Sequence, residues 1–157
     1  RRPAPTLMVI GGCIHWGMND MDFSTIRWTA VLACVVFSMI SGSIWFGPKT
    51  FFPVWWKAIG KTPSDRPQGQ PVTWGLLIGS SALQAVSMAL AVNALARNGG
   101  ATFVSGATTG FVLWLGFVAP ASLSNKLFPG QLQAWAIEAG NHLINFVAFG
   151  AILGVWH

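Results

Sequence analysis

Charge is what this sequence has least of. Only 8% of its 157 residues are Asp, Glu, Lys or Arg, against about 25% in a soluble domain. A water-soluble globule with so few charges and 53% hydrophobic residues would expose far too much apolar surface, which leaves a membrane protein. Acid is scarcer than base, with four Asp and Glu against nine Lys and Arg. The bases are scattered and never interleave with aromatics along a groove-like stretch, which excludes a nucleic-acid footprint; they read as charges flanking a membrane. Tyrosine is absent, so the nine Trp are left as the aromatic rings suited to the headgroup level. Two cysteines, Cys13 and Cys34, do not make a disulfide framework and read as unpaired small hydrophobes. Cys13, His15 and Met18 would be soft metal ligands, but no second pair completes a site, and no metal site is assigned. No phosphate loop, nucleophile motif or two-cysteine zinc pair occurs.

What the chain has instead is apolar runs of membrane length. About 20 apolar residues cross about 30 Å of hydrocarbon, and four stretches qualify, at about 26–46, 74–95, 101–123 and 132–156. The fold class expected is all-α: a four-helix transmembrane bundle over residues 23–157, preceded by an extended or interfacial arm, residues 1–22. The apolar part of that arm is too short to span. Leu7, Val9, Ile10, Ile14 and Trp16 are its candidate partner-binding residues. The first span should stop at Gly47-Pro48, because proline lacks a donor and disfavours helix in the residue before it. Residues 49–61 read as interfacial, with Phe52, Trp55, Trp56 and Ile59 on an apolar face and Lys57 and Lys61 reaching water. Pro120 should kink the third span near its end, and Asn125, Lys126, Pro129 and Gly130 form the next connection.

Four spans put both termini on one side, here side A. Side B carries Lys49, Lys57, Lys61, Arg66 and Lys126; side A carries Arg27 and Arg97, with Arg1 and Arg2 on the arm. That balance mildly favours side B as cytoplasm, matrix or stroma. The chain opens Arg1-Arg2-Pro3 without an initiator Met, which a cleaved organellar presequence or a trimmed sequence would explain. Trp45-Phe46-Gly47 echoes Trp114-Leu115-Gly116, and Trp74 with Gly79 echoes Trp135 with Gly140, as a parallel duplication of two helix pairs would. Gly75-x-x-x-Gly79, Gly106-x-x-x-Gly110 and Gly150-x-x-x-Gly154 permit close helix approach.

The chemistry-bearing residues concentrate in the fourth span. Glu138, Asn141, His142 and Asn145 follow the spacing i, i+3, i+4, i+7 and share one helical face. A carboxylate at the bilayer centre costs about 2.5–3.5 kcal/mol on insertion scales, so this face should turn toward protein, water or a ligand. Ser80, Gln84 and Ser87 in the second span, and Ser38 and Ser41 in the first, reach similar depth. Gln84, Glu138, Asn141, His142 and Asn145 are therefore the expected intramembrane polar cluster, with Glu138 and His142 meeting each other or Gln84. Three readings stay open. The cluster is interhelical glue, at about 0.6 kcal/mol per bond; or it holds a ligand, with His142 as the cofactor ligand for haem or chlorophyll, or a lipid; or it passes protons or ions. Glu138 and His142 alone fall short of a metal coordination sphere.

The Trp45-Phe46-Gly47-Pro48 helix end, Trp56, the run from Gly110 to Val118, Asn125-Lys-Leu-Phe128 and Glu138-Ala-Gly-Asn-His142 together resemble domain-of-unknown-function family 1761, over about residues 26–157. The resemblance implies a small four-helix membrane protein of a mainly bacterial family and supplies no chemistry. The arm is unmatched and suggests a specialised partner. The function expected is a non-catalytic accessory subunit. Its partners are the lipid bilayer and other membrane-protein subunits, in a larger energy-transducing complex of a thylakoid, mitochondrial inner or bacterial inner membrane. The other class is a small transporter or membrane enzyme using a Glu138/His142 pocket.

Overall fold

The computed structural model describes residues 23–65, 69, 71–97 and 99–156. The arm, with Leu7, Val9, Ile10, Ile14 and Trp16, lies outside the described residues. After a short 3-10 turn the chain forms α1 (Trp28–Trp45), α2 (Phe52–Ala58) and α3 (Pro71–Arg97). A third long helix follows in two parts, α4 (Phe103–Leu113) and α5 (Ala119–Leu127), joined by a π-helical turn at Trp114–Val118. The chain closes with α6 (Leu132–Val155). Four helices are long and apolar enough to cross a membrane: α1, α3, α4 to α5, and α6. The all-α, four-span architecture expected from run length is what forms, and no strand occurs among the described residues.

Local chemistry sets the ends. Pro71 opens α3, where its missing N–H would have had no partner in the helix anyway. Thr102 caps α4 in a reciprocal box with Ser105: the Ser105 N–H donates to Thr102 Oγ1 and the Thr102 N–H to Ser105 Oγ. At the far end of α1 the chain turns at Gly47-Pro48. The Thr50 hydroxyl folds back within 2.6 Å of the Ile44 carbonyl and 2.8 Å of the Trp45 carbonyl, at the helix end where the same carbonyls accept from the Gly47 and Phe51 N–H groups.

The third span runs further than the sequence expectation. Pro120 is accommodated by the π-helical turn before it, where the Ala119 N–H reaches back to the Trp114 carbonyl. Widening that turn by one residue relieves the clash between a proline ring and the carbonyl four residues earlier. The helix then continues through Asn125 and Lys126 to Leu127, so Lys126 stands in a last helical turn and not in a loop.

α6 is the hub. α4 packs closest to it, because Gly106 and Gly110 face Gly150 and Gly154. A Cβ on Gly106 would overlap the Gly150 carbonyl, and one on Gly150 would overlap the Gly106 carbonyl. The two glycine pairs read from the sequence thus build one crossing. The pair Gly75 and Gly79 faces open space. The core joins Ala30, Val31 and Cys34 of α1, Ala85, Met88 and Val92 of α3, and Phe149 and Leu153 of α6. It fills the side-A half of the bundle. Toward side B every residue of α3 from 71 to 80 is exposed.

Candidate functional site

The first turns of α6 are held by tryptophans. The indole N–H of Trp45, at the end of α1, donates to the Ile137 carbonyl at 3.0 Å. That of Trp114, in the π-helical turn, donates to the Ala139 carbonyl at 3.1 Å. These are the two tryptophans of the sequence echo, and they grip α6 two residues apart. Between them Glu138 Oε1 accepts from Trp55 Nε1 at 2.7 Å and from Lys126 Nζ at 2.9 Å. Trp135, one turn earlier on α6, donates outward to Ser122 Oγ at 3.1 Å. A buried indole needs an acceptor for its N–H, and here α6 supplies acceptors to three neighbouring segments.

Interfacial α2 places Trp55. Its aromatic side chains pack on one another, Phe52 on Trp56 at 5.3 Å and Phe46 edge-on to Trp55 at 5.4 Å between ring centroids, while Lys57 stays exposed. Glu138 stands six residues into α6, about 9 Å along the axis. It is therefore just below the side-B boundary, where α2 and the end of α5 can reach it. The Glu138–Lys126 pair is partly shielded, with side chains 21% and 23% exposed.

Deeper in the membrane a second polar group forms between α1, α3 and α6. Ser41 Oγ donates to Asn145 Oδ1 at 2.6 Å, and Asn145 Nδ2 donates to Asn141 Oδ1 at 3.1 Å. Ser38 and Ser81 hydroxyls meet at 2.5 Å. All but Ser41 are buried. Asn141 Nδ2 is buried and has no hydrogen-bond partner among the described residues.

The structure thus divides the residues expected to form one cluster. Asn141 and Asn145 join Ser41 at mid-depth. Glu138 turns to Trp55 and Lys126, and its hydrogen bonds go to neither His142 nor Gln84. His142 is half-buried and makes no hydrogen bond among the described residues. Gln84 leaves the cluster altogether: its amide reaches only Ser80 on its own helix, at 3.4 Å. Ser81, the neighbour of Ser80, is the α3 residue that enters the seam. Sequence reasoning passed over Ser81, Lys126 and the donor role of the tryptophans. The one usable signal was the number of indole N–H groups needing acceptors.

No group of three or more His, Cys, Asp or Glu able to hold a metal comes together among the described residues. Cys34 is buried and unpaired in the core. An open apolar groove runs along α6 between α1 and α4, lined by Phe37, Phe111, Ile144, Val147 and Ile152; it is on the far side of α6 from His142 and lacks a polar group to orient a substrate.

A family model described as protein of unknown function (DUF1761) matches residues 29–154. No curated protein and no solved structure matches the chain.

Proposed function

The chain belongs to the DUF1761 family of proteins of unknown function, and from that premise we propose that it is a non-catalytic accessory subunit of a larger membrane complex, acting through helix packing. The observation that carries this reading is the state of Glu138. The intramembrane acid is compensated by Lys126 and bound by Trp55, so it ties α2, α5 and α6 together. A general acid or base needs its carboxyl aimed at an open site where a substrate proton can come within reach. The Ser41–Asn145 bond likewise joins α1 to α6, as interhelical glue does.

Tagged protein extracted from its native membrane in mild detergent should co-purify with the same larger proteins at fixed stoichiometry. Recovery of the protein alone, with a substrate-dependent activity in vesicles, would overturn the reading. One observation favours a second reading. His142, one helical turn from Glu138, keeps both ring nitrogens without a hydrogen bond among the described residues, so its imidazole is available to a ligand. An axial or ligand-binding role for His142 predicts a chromophore or small molecule that His142→Ala releases from the purified protein.

A further inference from the structure

Side B carries positive charge that the chain itself does not neutralise. Lys49, Lys57 and Lys61 lie in the segment that joins α1 to α3, and all three are exposed. Among the described residues they form no ion pair; Lys126 with Glu138 is the pair that forms. The whole sequence has four acids, Asp20, Asp22, Asp65 and Glu138. Asp20 and Asp22 come before α1 in the sequence, and α1 must be crossed to reach side B. Glu138 is taken by Lys126 at 2.9 Å. Asp65 is taken by Thr62, whose backbone N–H and hydroxyl both donate to its carboxylate.

Local structure fixes where the three ammonium groups stand. Trp55 holds α2 to Glu138 at 2.7 Å, and Glu138 is about 9 Å into α6, so α2 lies at the membrane boundary. Two residues on from Trp55, Lys57 falls about 160° round the helix, on the face turned away from Glu138. Gly60, at φ +80°, closes α2. Its own N–H donates to the Lys57 carbonyl at 3.0 Å, and the Lys61 N–H donates to the Trp56 carbonyl at 3.1 Å. This closure keeps Lys61 at the helix end that carries Lys57. The Trp56 indole N–H then donates to the Thr62 carbonyl at 2.9 Å and pins the turn. Lys49 enters the same segment from the end of α1. Phe51 and Val54, beside these lysines in the chain, are 42% and 44% exposed.

We propose that this segment is a binding surface for the headgroups of anionic phospholipids in the side-B leaflet. Charge and depth together select that occupant. An ammonium group meets a phosphate as a point charge, and basic residues on a segment at the membrane surface are drawn to anionic lipid. The exposed Phe51 and Val54 offer the acyl chains of the same lipids an apolar contact. An acidic soluble partner would match the lysines and leave those two side chains without apolar cover. The lipid preference goes beyond the accessory-subunit reading and does not depend on it.

Electron spin resonance tests it on the full chain in phosphatidylcholine vesicles, with trace spin-labelled phosphatidylglycerol compared against spin-labelled phosphatidylcholine. The motionally restricted lipid should show phosphatidylglycerol preferred about fivefold. At about 1 M salt, where the screening length is about 3 Å, the preference should fall toward unity. Lys49→Gln, Lys57→Gln and Lys61→Gln together should abolish it. Lys49→Arg, Lys57→Arg and Lys61→Arg together should keep it, and Arg27→Gln on side A should leave most of it. Equal retention of the two lipids by the parent overturns the proposal. So does a preference that salt leaves unchanged, or one that survives the triple glutamine replacement. If that triple variant keeps the preference and loses a co-purifying protein, the surface belongs to an acidic protein instead.

Discussion

Lys126 Nζ lies 2.9 Å from Glu138 Oε1, across the turn that joins the last two helices. Lys126 comes from the final turn of α5 and Glu138 from the second turn of α6. The lysine favours its own helix end, where the dipole is negative, and neutralises the carboxylate below it. Trp55 reaches the same oxygen from the interfacial helix. Three segments are thereby fixed at one point under the side-B boundary.

The glycine crossing should be the least forgiving contact. Gly106→Ala or Gly150→Ala forces α4 from α6, because the added carbon would overlap backbone of the opposite helix. A loss of about 1–3 kcal/mol is expected, measured by reversible unfolding in mixed micelles. Gly75→Ala meets nothing within 4 Å, so it should stay within about 0.5 kcal/mol of the parent.

The two echoing tryptophans should contribute alike. Trp45→Phe and Trp114→Phe keep the ring and remove the donor to Ile137 or Ala139. Each should cost about 0.5–1.5 kcal/mol in the same unfolding assay. A shift confined to one of them would mean that the two grips on α6 are not equivalent.

Asp65 supplies a pH signature outside the membrane. The Thr62 backbone N–H, at 2.7 Å, and the Thr62 hydroxyl, at 2.8 Å, donate to its carboxylate. These bonds hold its pKa below the ordinary 3.8, with a smaller contribution from the charge of Lys61. Because the folded value is the lower one, the turn's stabilisation is present above the ordinary carboxylate pKa. It is lost as pH falls through the depressed value. Carbon-detected NMR titration should place the Asp65 midpoint below 3.8, and Thr62→Ala should move it upward by removing the hydroxyl bond.

Side-specific cysteine labelling checks the topology. Positions beside Pro63 and Gly99 should react from opposite faces of the membrane, since α3 separates them and is long enough to cross. Reaction of both from one face would contradict a four-span bundle.

The spans were legible because run length alone separates a membrane helix from a core helix; glycine spacing marked bare helix faces at three places, of which two meet in the α4–α6 crossing and the third, Gly75 and Gly79, faces open space. The direction of Gln84 was not legible. α3 is apolar nearly all round, so its only amphipathic mark is the stripe Ser80–Gln84–Ser87. The cost of a lipid-facing amide points that stripe inward. The packed side is instead set by small and apolar residues, Ala85, Met88, Ala89 and Val92, with Ser81 the one hydroxyl among them. Lys126 misled in another way. Its place beside Pro129-Gly130 marks a connection, whereas the π-helical turn before Pro120 lets the helix run on and carries the ammonium to Glu138. A one-dimensional pattern shows that a carboxylate needs a partner and does not show which of five side-B cations reaches it.

The central claim is that Glu138 acts in packing and not in chemistry, and a double-mutant cycle on Lys126 and Glu138 tests it most directly. Lys126→Met strands a partly shielded carboxylate and should cost about 1–3 kcal/mol, less than the 3–5 of a fully buried pair. Glu138→Gln should cost less than that, since the amide still accepts from Trp55. The double variant should recover most of the Lys126→Met loss, and it should co-purify with the same membrane proteins as the parent. The contrary result is a Glu138→Gln protein that is as stable as the parent and assembles as well, yet loses the protein's biological activity whether or not Lys126 is also replaced.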